Sequence, residues 1–310
     1  MIYDLAICGG GPAGVAAGVY ASRKRLFTVF ITSSFESQST VSENIQNWIG
    51  TVSISGQNLA ENLKKHIEAY ADDVVNIREG ELVTRISRTD NRTDRHFLIT
   101  TNTGSYEAKT VLITTGSFRR KLEIPGAAEF EGKGVTYCAS CDGPLFADKD
   151  VVVVGGGNAG FETVAQLLAY AKSVTLLNRS PKFRADPVTV KKVLAHPKMK
   201  AIVNADPKEI AGDKFVTSFT YTDSKSGVDI TLPAQGIFVE IGLMPNTGFV
   251  KELIDLNKYG QIPVDPKSQM TKTPGVWAAG DCTDGLYHQN NIAAGDAVRA
   301  LEDIYMHIHG

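Results

Sequence analysis

Cysteine is scarce: a chain of 310 residues carries four, Cys8, Cys138, Cys141 and Cys282. That is too few for a disulfide framework, the device that staples small secreted domains with thin cores. An excess of charge of one sign is missing too. Lysine and arginine number 32 against 34 aspartates and glutamates, a net charge of −2, so the chain lacks the basic face by which nucleic acid or an anionic membrane is held. Apolar runs such as Val151–Val154 fall far short of the ~20 residues that span a bilayer. The opening Met1-Ile2-Tyr3-Asp4 has no basic n-region and no cleavage pattern, and reads as the start of a strand rather than a signal peptide. At 43% hydrophobic and 21% charged residues, the composition is that of a globular protein, not a disordered one. The length gives room for about two domains. A cytoplasmic, reducing compartment is the expectation, and in it a close cysteine pair does redox or metal chemistry rather than fastening a fold.

What is present is dominated by one self-similarity. Asp4-Leu-Ala-Ile-Cys-Gly-Gly-Gly-Pro-Ala-Gly14 matches Asp150-Val-Val-Val-Val-Gly-Gly-Gly-Asn-Ala-Gly160, and the same offset lays Phe27–Thr32 on Ser173–Asn178. Each copy reads as a buried strand, a glycine turn, a helix and a second buried strand. Near-continuous apolar strands alternating with helices point to parallel sheets covered on both faces. The expected fold class is therefore α/β, with two Rossmann-like units, parallel central sheets and antiparallel β excursions. A Ser-rich stretch, Thr32–Ser42, precedes a helix expected over Gly56–Asp72. Alternating segments at Ile77–Thr89 and His96–Thr103, with a polar turn over Asp90–Asp94, predict one antiparallel excursion; Lys214–Thr222 and Asp229–Leu232 predict a second. Further strands are expected at Thr110–Thr114, Gly236–Ile241 and Val276–Ala279, a linker at Gly242–Asn246, and a last helix over Asn291–Met306.

Gly9, Gly11 and Gly14 fit G-x-G-x-x-G at the mouth of a helix, with Pro12 in its first turn. The first glycine permits the tight turn, the second lets backbone approach a pyrophosphate, and the third lets helix and strand pack closely. The phosphates then meet the positive helix N-terminus. Gly155, Gly157 and Gly160 repeat the arrangement. The acid that often closes the second strand and holds a ribose hydroxyl is replaced by Thr32 in one copy and Asn178 in the other. Arg179, Lys182 and Arg184 follow Asn178; guanidinium groups there suit a 2′-phosphate, the alternative being a solvated basic loop. Cys138-Ala-Ser-Cys141 stands alone, without a second pair or a histidine cluster, which disfavours zinc and any other metal. Two thiols so spaced can close a disulfide and exchange it, with Asp142 beside them as acid or base, or can be inert. Asp281, at the end of Gly275-Val-Trp-Ala-Ala-Gly, either accepts cofactor hydroxyls or caps the following turn. Cys8 and Cys282 read as structural, Trp48 and Trp277 as packing, and His66, His196, His307 and His309 as surface residues.

Taken together, two nucleotide motifs, a CxxC between them and a terminal Gly-Asp turn resemble low-molecular-weight thioredoxin reductase and the related flavoprotein of alkyl hydroperoxide reductase. The resemblance runs nearly end to end, and Tyr137–Phe146 is its most specific segment. It implies a flavin-binding domain over residues 1–115 and 244–310 and a nicotinamide-nucleotide domain carrying the cysteine pair over residues 116–243, joined at a hinge near Gly242–Asn246. It places Gly9, Gly11, Pro12, Ala13, Gly14, Gln38, Asn47, Thr115, Gly116, Asp281 and Gln289, with His288 and Asn290, around FAD. It gives Cys141 as the sulfur facing the flavin, Cys138 as the one that attacks a partner disulfide, and Asp142 as the proton carrier. Gly155, Gly157, Asn158, Gly160, Arg179 and Arg184 fall at the nicotinamide site. The implied activity is a relay from NADPH through FAD to the Cys138–Cys141 disulfide and on to thioredoxin or a similar small redox protein, in a homodimer. This sequence departs from the family at the second site, where Asn178-Arg179-Ser180 and Arg184 keep half of the usual cations. The donor is therefore open among NADPH, NADH and a non-nicotinamide source such as ferredoxin or flavodoxin.

Overall fold

The computed structural model describes residues 1–40, 42, 45–89 and 96–310; the polar turn expected over Asp90–Asp94 lies outside the described residues. The chain opens with β1 (Ile2–Cys8), α1 (Pro12–Arg23) and β2 (Thr28–Thr32), then α2 (Gly56–Ala71) and β3 (Val75–Glu79). Three further strands, β4 (Val83–Arg88), β5 (Phe97–Thr101) and β6 (Ser105–Ile113), form an antiparallel run. β3, β2, β1 and β6 lie side by side in parallel. Alternate residues of β1 explain why the strand is apolar from Leu5 to Cys8. Leu5 and Ile7 join one core with α1, while Ala6 and Cys8 join a second core on the opposite face with Ile86, Phe97 and Ile99 of the excursion.

A short strand, β7 (Ser117–Arg119), leads out of this unit. The second unit comprises β8 (Val135–Thr136), α3 (Ala139–Asp142), β9 (Asp150–Val154), α4 (Asn158–Leu167), β10 (Ser173–Asn178), α5 (Pro187–Leu194), β11 (Met199–Val203), β12 (Ala205–Gly212), β13 (Val216–Asp223), β14 (Asp229–Pro233) and β15 (Gly236–Val239). Its parallel sheet runs β11-β10-β9-β15-β8, and β12-β13-β14 form a separate antiparallel sheet. Val151 and Val153 pack with α4; Val152 and Val154 pack toward Phe219 and Tyr221 of the antiparallel sheet. The chain then returns through β16 (Leu243–Pro245) to β17 (Val276–Ala278) and α6 (Asn290–His309). β17 pairs in parallel with the far half of β6, and α6 packs on α1 in the first core. Trp277 is fully buried there, its indole N–H donating to Asp303 at 2.8 Å.

Three local expectations change. Ile77–Thr89 is not one strand: Gly80 takes a φ of +84°, and the break leaves β3 in the parallel sheet and β4 in the excursion. β12 went unread because only Ala205 and Ile210 of its residues are buried, so no apolar alternation marks it. The linker at Gly242–Asn246 contains a strand, β16, antiparallel to β7; the two crossings between the units run as one ribbon. Beside that ribbon, the nearly buried Glu240 lies 3.3 Å from Arg119 and accepts a hydrogen bond from Thr163 at 2.9 Å. Burial is the largest influence on its carboxyl and pushes it above the usual range, against the pull of Arg119 and Thr163.

Candidate active site

Both glycine turns adopt the geometry that their spacing demands. Gly9 has a φ of +123°, and a Cβ on it would lie 2.3 Å from the Thr114 carbonyl oxygen. Gly14 packs so closely that a Cβ would meet the Gly9 carbonyl at 1.8 Å, while around Gly11 the space is open. The second turn repeats this: a Cβ on Gly160 would lie 1.9 Å from the Gly155 carbonyl, and Gly157 faces open space. α1 and α4 thus each present a helix N-terminus with bare backbone in front of it, suited to a phosphate group.

A cleft of about 690 Å³ opens over the first turn and reaches the second unit, a volume within the ~300–1,000 Å³ usual for cofactor sites. Gly9, Gly11, Pro12, Ala13, Gln38, Asn47, Thr115, Gly116, Asp281, His288, Gln289 and Asn290 line it. Gly14 lies behind the wall, as the packing residue it is. Gln38 donates from Nε2 to the Ser117 carbonyl (2.5 Å) and to Asp281 Oδ2 (3.3 Å). Asp281 also lies 3.4 Å from His288 Nδ1. Asn47 donates to Gln289 Oε1 (3.0 Å) and Asn290 to Ser39 Oγ (2.9 Å), which fixes the start of α6 against the serine-rich stretch. An open cradle of glycine backbone, a carboxylate at the strand edge and a ring of amides fit a flavin dinucleotide. Sequence reasoning missed Ser33, Ser34, Glu36 and the run Glu81-Leu82-Val83, all in the same wall.

Cys138 and Cys141 form a disulfide, with Cα atoms 5.3 Å apart. They line the same cleft with Asp142. The Cys141 backbone N–H donates to Cys138 Sγ at 3.2 Å. Asp142 is held by both oxygens: Ser42 Oγ of the first unit donates to Oδ1 at 3.2 Å, and Thr136 Oγ1 of the second unit donates to Oδ2. Neither hydroxyl carries a sequence signal that would have marked it.

The second turn lies outside this cleft, and Gly155, Gly157, Asn158, Gly160, Arg179 and Arg184 gather separately around it. Asn158 Oδ1 accepts from the Asp186 N–H at 2.8 Å, and the Arg184 N–H donates to the Gly156 carbonyl at 2.9 Å. Asn178 turns inward, donating to the Ser180 and Lys182 carbonyls (2.7 and 3.0 Å). Arg179, Lys182 and Arg184 are exposed around the turn. Among the described residues no cluster of three or more His, Cys, Asp or Glu is placed to hold a metal, and no helix is long and apolar enough to cross a membrane.

Two nucleotide-binding units with a disulfide between them define a class: oxidoreductases that couple a dinucleotide to a cysteine pair. The chain belongs to the pyridine nucleotide-disulphide oxidoreductase family, which it matches over residues 3–297. It is 39% identical over 298 residues (96% of the chain) to NADH dehydrogenase of Bacillus subtilis. It is 36% identical over 307 residues (99%) to a component of the alkyl hydroperoxide reductase of Pseudomonas aeruginosa. The chain spans 57% and 58% of the length of those two relatives. Among solved structures, thioredoxin reductase from Giardia duodenalis superposes with a TM-score of 0.91 at 33% identity, over 99% of each chain. The family implies FAD and a pyridine nucleotide.

Proposed function

We propose that this protein is a flavin-dependent reductase that draws electrons from a pyridine nucleotide, stores them in the Cys138–Cys141 pair and delivers them to thioredoxin or a similar small CxxC protein. The observation that carries the reading is the disulfide in the wall of the cleft that the first glycine turn opens. In this reading residues 1–115 with 244–310 form the flavin domain, supported by the pairing of β17 with β6, and residues 116–243 form the nucleotide domain. The same reading makes the protein a cytoplasmic homodimer.

When bound, FAD supplies two-electron transfer between nicotinamide and disulfide. The chain's residues supply the rest. Gly9 and Gly11 with the N-terminus of α1 would hold the pyrophosphate, Gly14 would keep that helix close against the turn, and Asp281 would accept hydroxyls beside it. Opening the disulfide takes two electrons and two protons and leaves two thiols. The N–H of Cys141 directed at Cys138 Sγ favours the thiolate on Cys138, which fits that sulfur as the one that attacks the partner's disulfide. A mixed disulfide forms and the partner's other sulfur leaves, taking a proton. Cys141 then attacks Cys138, giving its proton to Asp142, which passes it to the partner sulfur that leaves, and the partner is released as a dithiol. Ser42 and Thr136 aim the Asp142 carboxylate. Ser42→Ala is therefore expected to slow exchange with the partner by about 3–10-fold, the worth of one hydrogen bond, with flavin content unaltered. Single-turnover mixing of the reduced protein with thioredoxin measures it.

For the donor, the exposed Arg179 and Arg184 support NADPH. A second reading, NADH, is favoured by Asn178, whose amide is spent on its own loop, and by the name of the Bacillus subtilis relative. Anaerobic mixing with each nucleotide decides between them: the flavin absorbance is expected to bleach at a lower concentration of NADPH than of NADH. Bleaching by neither would overturn the nicotinamide assignment and leave ferredoxin or flavodoxin as the source.

A further inference from the structure

Away from the residues assigned so far, the contacts of the disulfide turn converge on one side chain. Gln166, near the end of α4, donates from Nε2 to the Ala139 carbonyl at 3.3 Å and accepts at Oε1 from Ser140 Oγ at 3.2 Å. Ala139 and Ser140 are the two residues between the cysteines, so a single amide grips the whole insert. The amide's orientation follows from its partners, because the carbonyl of Ala139 can only accept. One turn on, the Tyr170 hydroxyl rests against Gly143, where a Cβ would lie 2.1 Å from it.

We propose that Gln166 is a positioning residue that keeps the Cys138–Cys141 turn closed after its disulfide opens, and so sets the reduction potential of the pair. The inference rests on the redox reading above. When dithiothreitol reduces the pair, the S–S bond between Cys138 and Cys141 breaks. Both electrons and both protons come from the added dithiol, which leaves as its cyclic disulfide. Covalent restraint is then gone from the turn. The Cys141 N–H on Cys138 Sγ and the two bonds of Gln166 remain to keep the sulfurs adjacent. The more tightly they are held, the higher the effective concentration of one thiol at the other, and the further the equilibrium lies toward disulfide.

The test equilibrates the flavin-loaded full chain with graded dithiothreitol buffers under anaerobic conditions, followed by acid quench and alkylation of free thiols. Gln166→Met keeps the length of the side chain and removes both hydrogen bonds. It is expected to shift the equilibrium about tenfold toward the dithiol, a potential less negative by about 30 mV. Ser140→Ala, at an exposed position, removes one bond and is expected to shift it about threefold. A melting temperature that falls while the equilibrium moves less than about twofold in both variants would make Gln166 a packing contact and overturn the proposal. Should Gln166→Met fail to fold, Ser140→Ala decides alone: no shift overturns it. A wild-type pair that never exchanges with dithiothreitol would overturn the redox reading itself, an outcome separate from either result with the variants.

Discussion

Cys138→Ser is expected to lower steady-state reduction of thioredoxin by at least about a thousandfold, the scale on which loss of a nucleophile is felt, while flavin remains bound in full. A serine hydroxyl at this position cannot enter thiol–disulfide exchange, so the chain keeps its cofactor and loses its outlet. Neither thiol outside the pair can stand in. Cys8 and Cys282 are fully buried, and burial pushes each thiol up to about 12, which keeps them protonated and unreactive. Cys141→Ser is expected to fail differently. It leaves the attacking sulfur but removes the resolving one, so a mixed disulfide with the partner should accumulate and be visible on a non-reducing gel. Turnover assays with flavin absorbance as the internal standard check both variants. Activity above about a tenth of wild type in Cys138→Ser would end the proposed relay.

The second large effect is expected at the first glycine turn. Gly9→Ala places a methyl group 2.3 Å from the Thr114 carbonyl oxygen at a φ of +123°, so clash and backbone strain fall on one residue. The local cost is about 2–4 kcal/mol, and it is met by moving the turn away from Thr114. That movement spoils the cradle in front of α1, where the pyrophosphate is held. Purified Gly9→Ala protein should therefore be largely colourless, and should melt well below wild type even when saturated with added FAD. Gly11→Ala provides the contrast: it meets no neighbouring atom, so its effect should be confined to flavin affinity. Equal flavin content in Gly9→Ala and wild type would show that the first turn does not form the cofactor site.

How much of this was legible in the sequence depends on the distance over which each residue acts. The two glycine turns and the CxxC state their requirements within a few neighbouring residues, and their backbone geometry matches those requirements. The parallel strands were readable because burial on both faces leaves β1 and β9 apolar along nearly their whole length. Ser42 and Asp142, by contrast, stand 100 residues apart and meet only in the fold. Their pairing leaves no local pattern, since a serine beside a carboxylate is a tertiary fact. Gln166 looks like any half-exposed residue on a helix until α3 is laid against α4. Glu81 is a similar case: hydroxyls of Tyr106 and Thr101 hold its carboxylate at 2.7 and 2.8 Å, and that hold leaves no mark in the sequence around it. β12 escaped because a strand with one wet face and two buried side chains has no alternation to read.

The return of β17 to the edge of β6 has a consequence for biogenesis. All strands of the second parallel sheet come from one continuous stretch, Val135 to Val239, whereas the first sheet waits for Val276–Ala278 and for α6 to cover α1. On the ribosome the later-encoded unit can mature while in the earlier one Val111–Ile113, paired with β1 on one side, still has an open edge on the other and α1 is without its cover. A nascent polypeptide stalled before Val276 would hold a finished second half beside an open, sticky first half, the kind of species that chaperones bind.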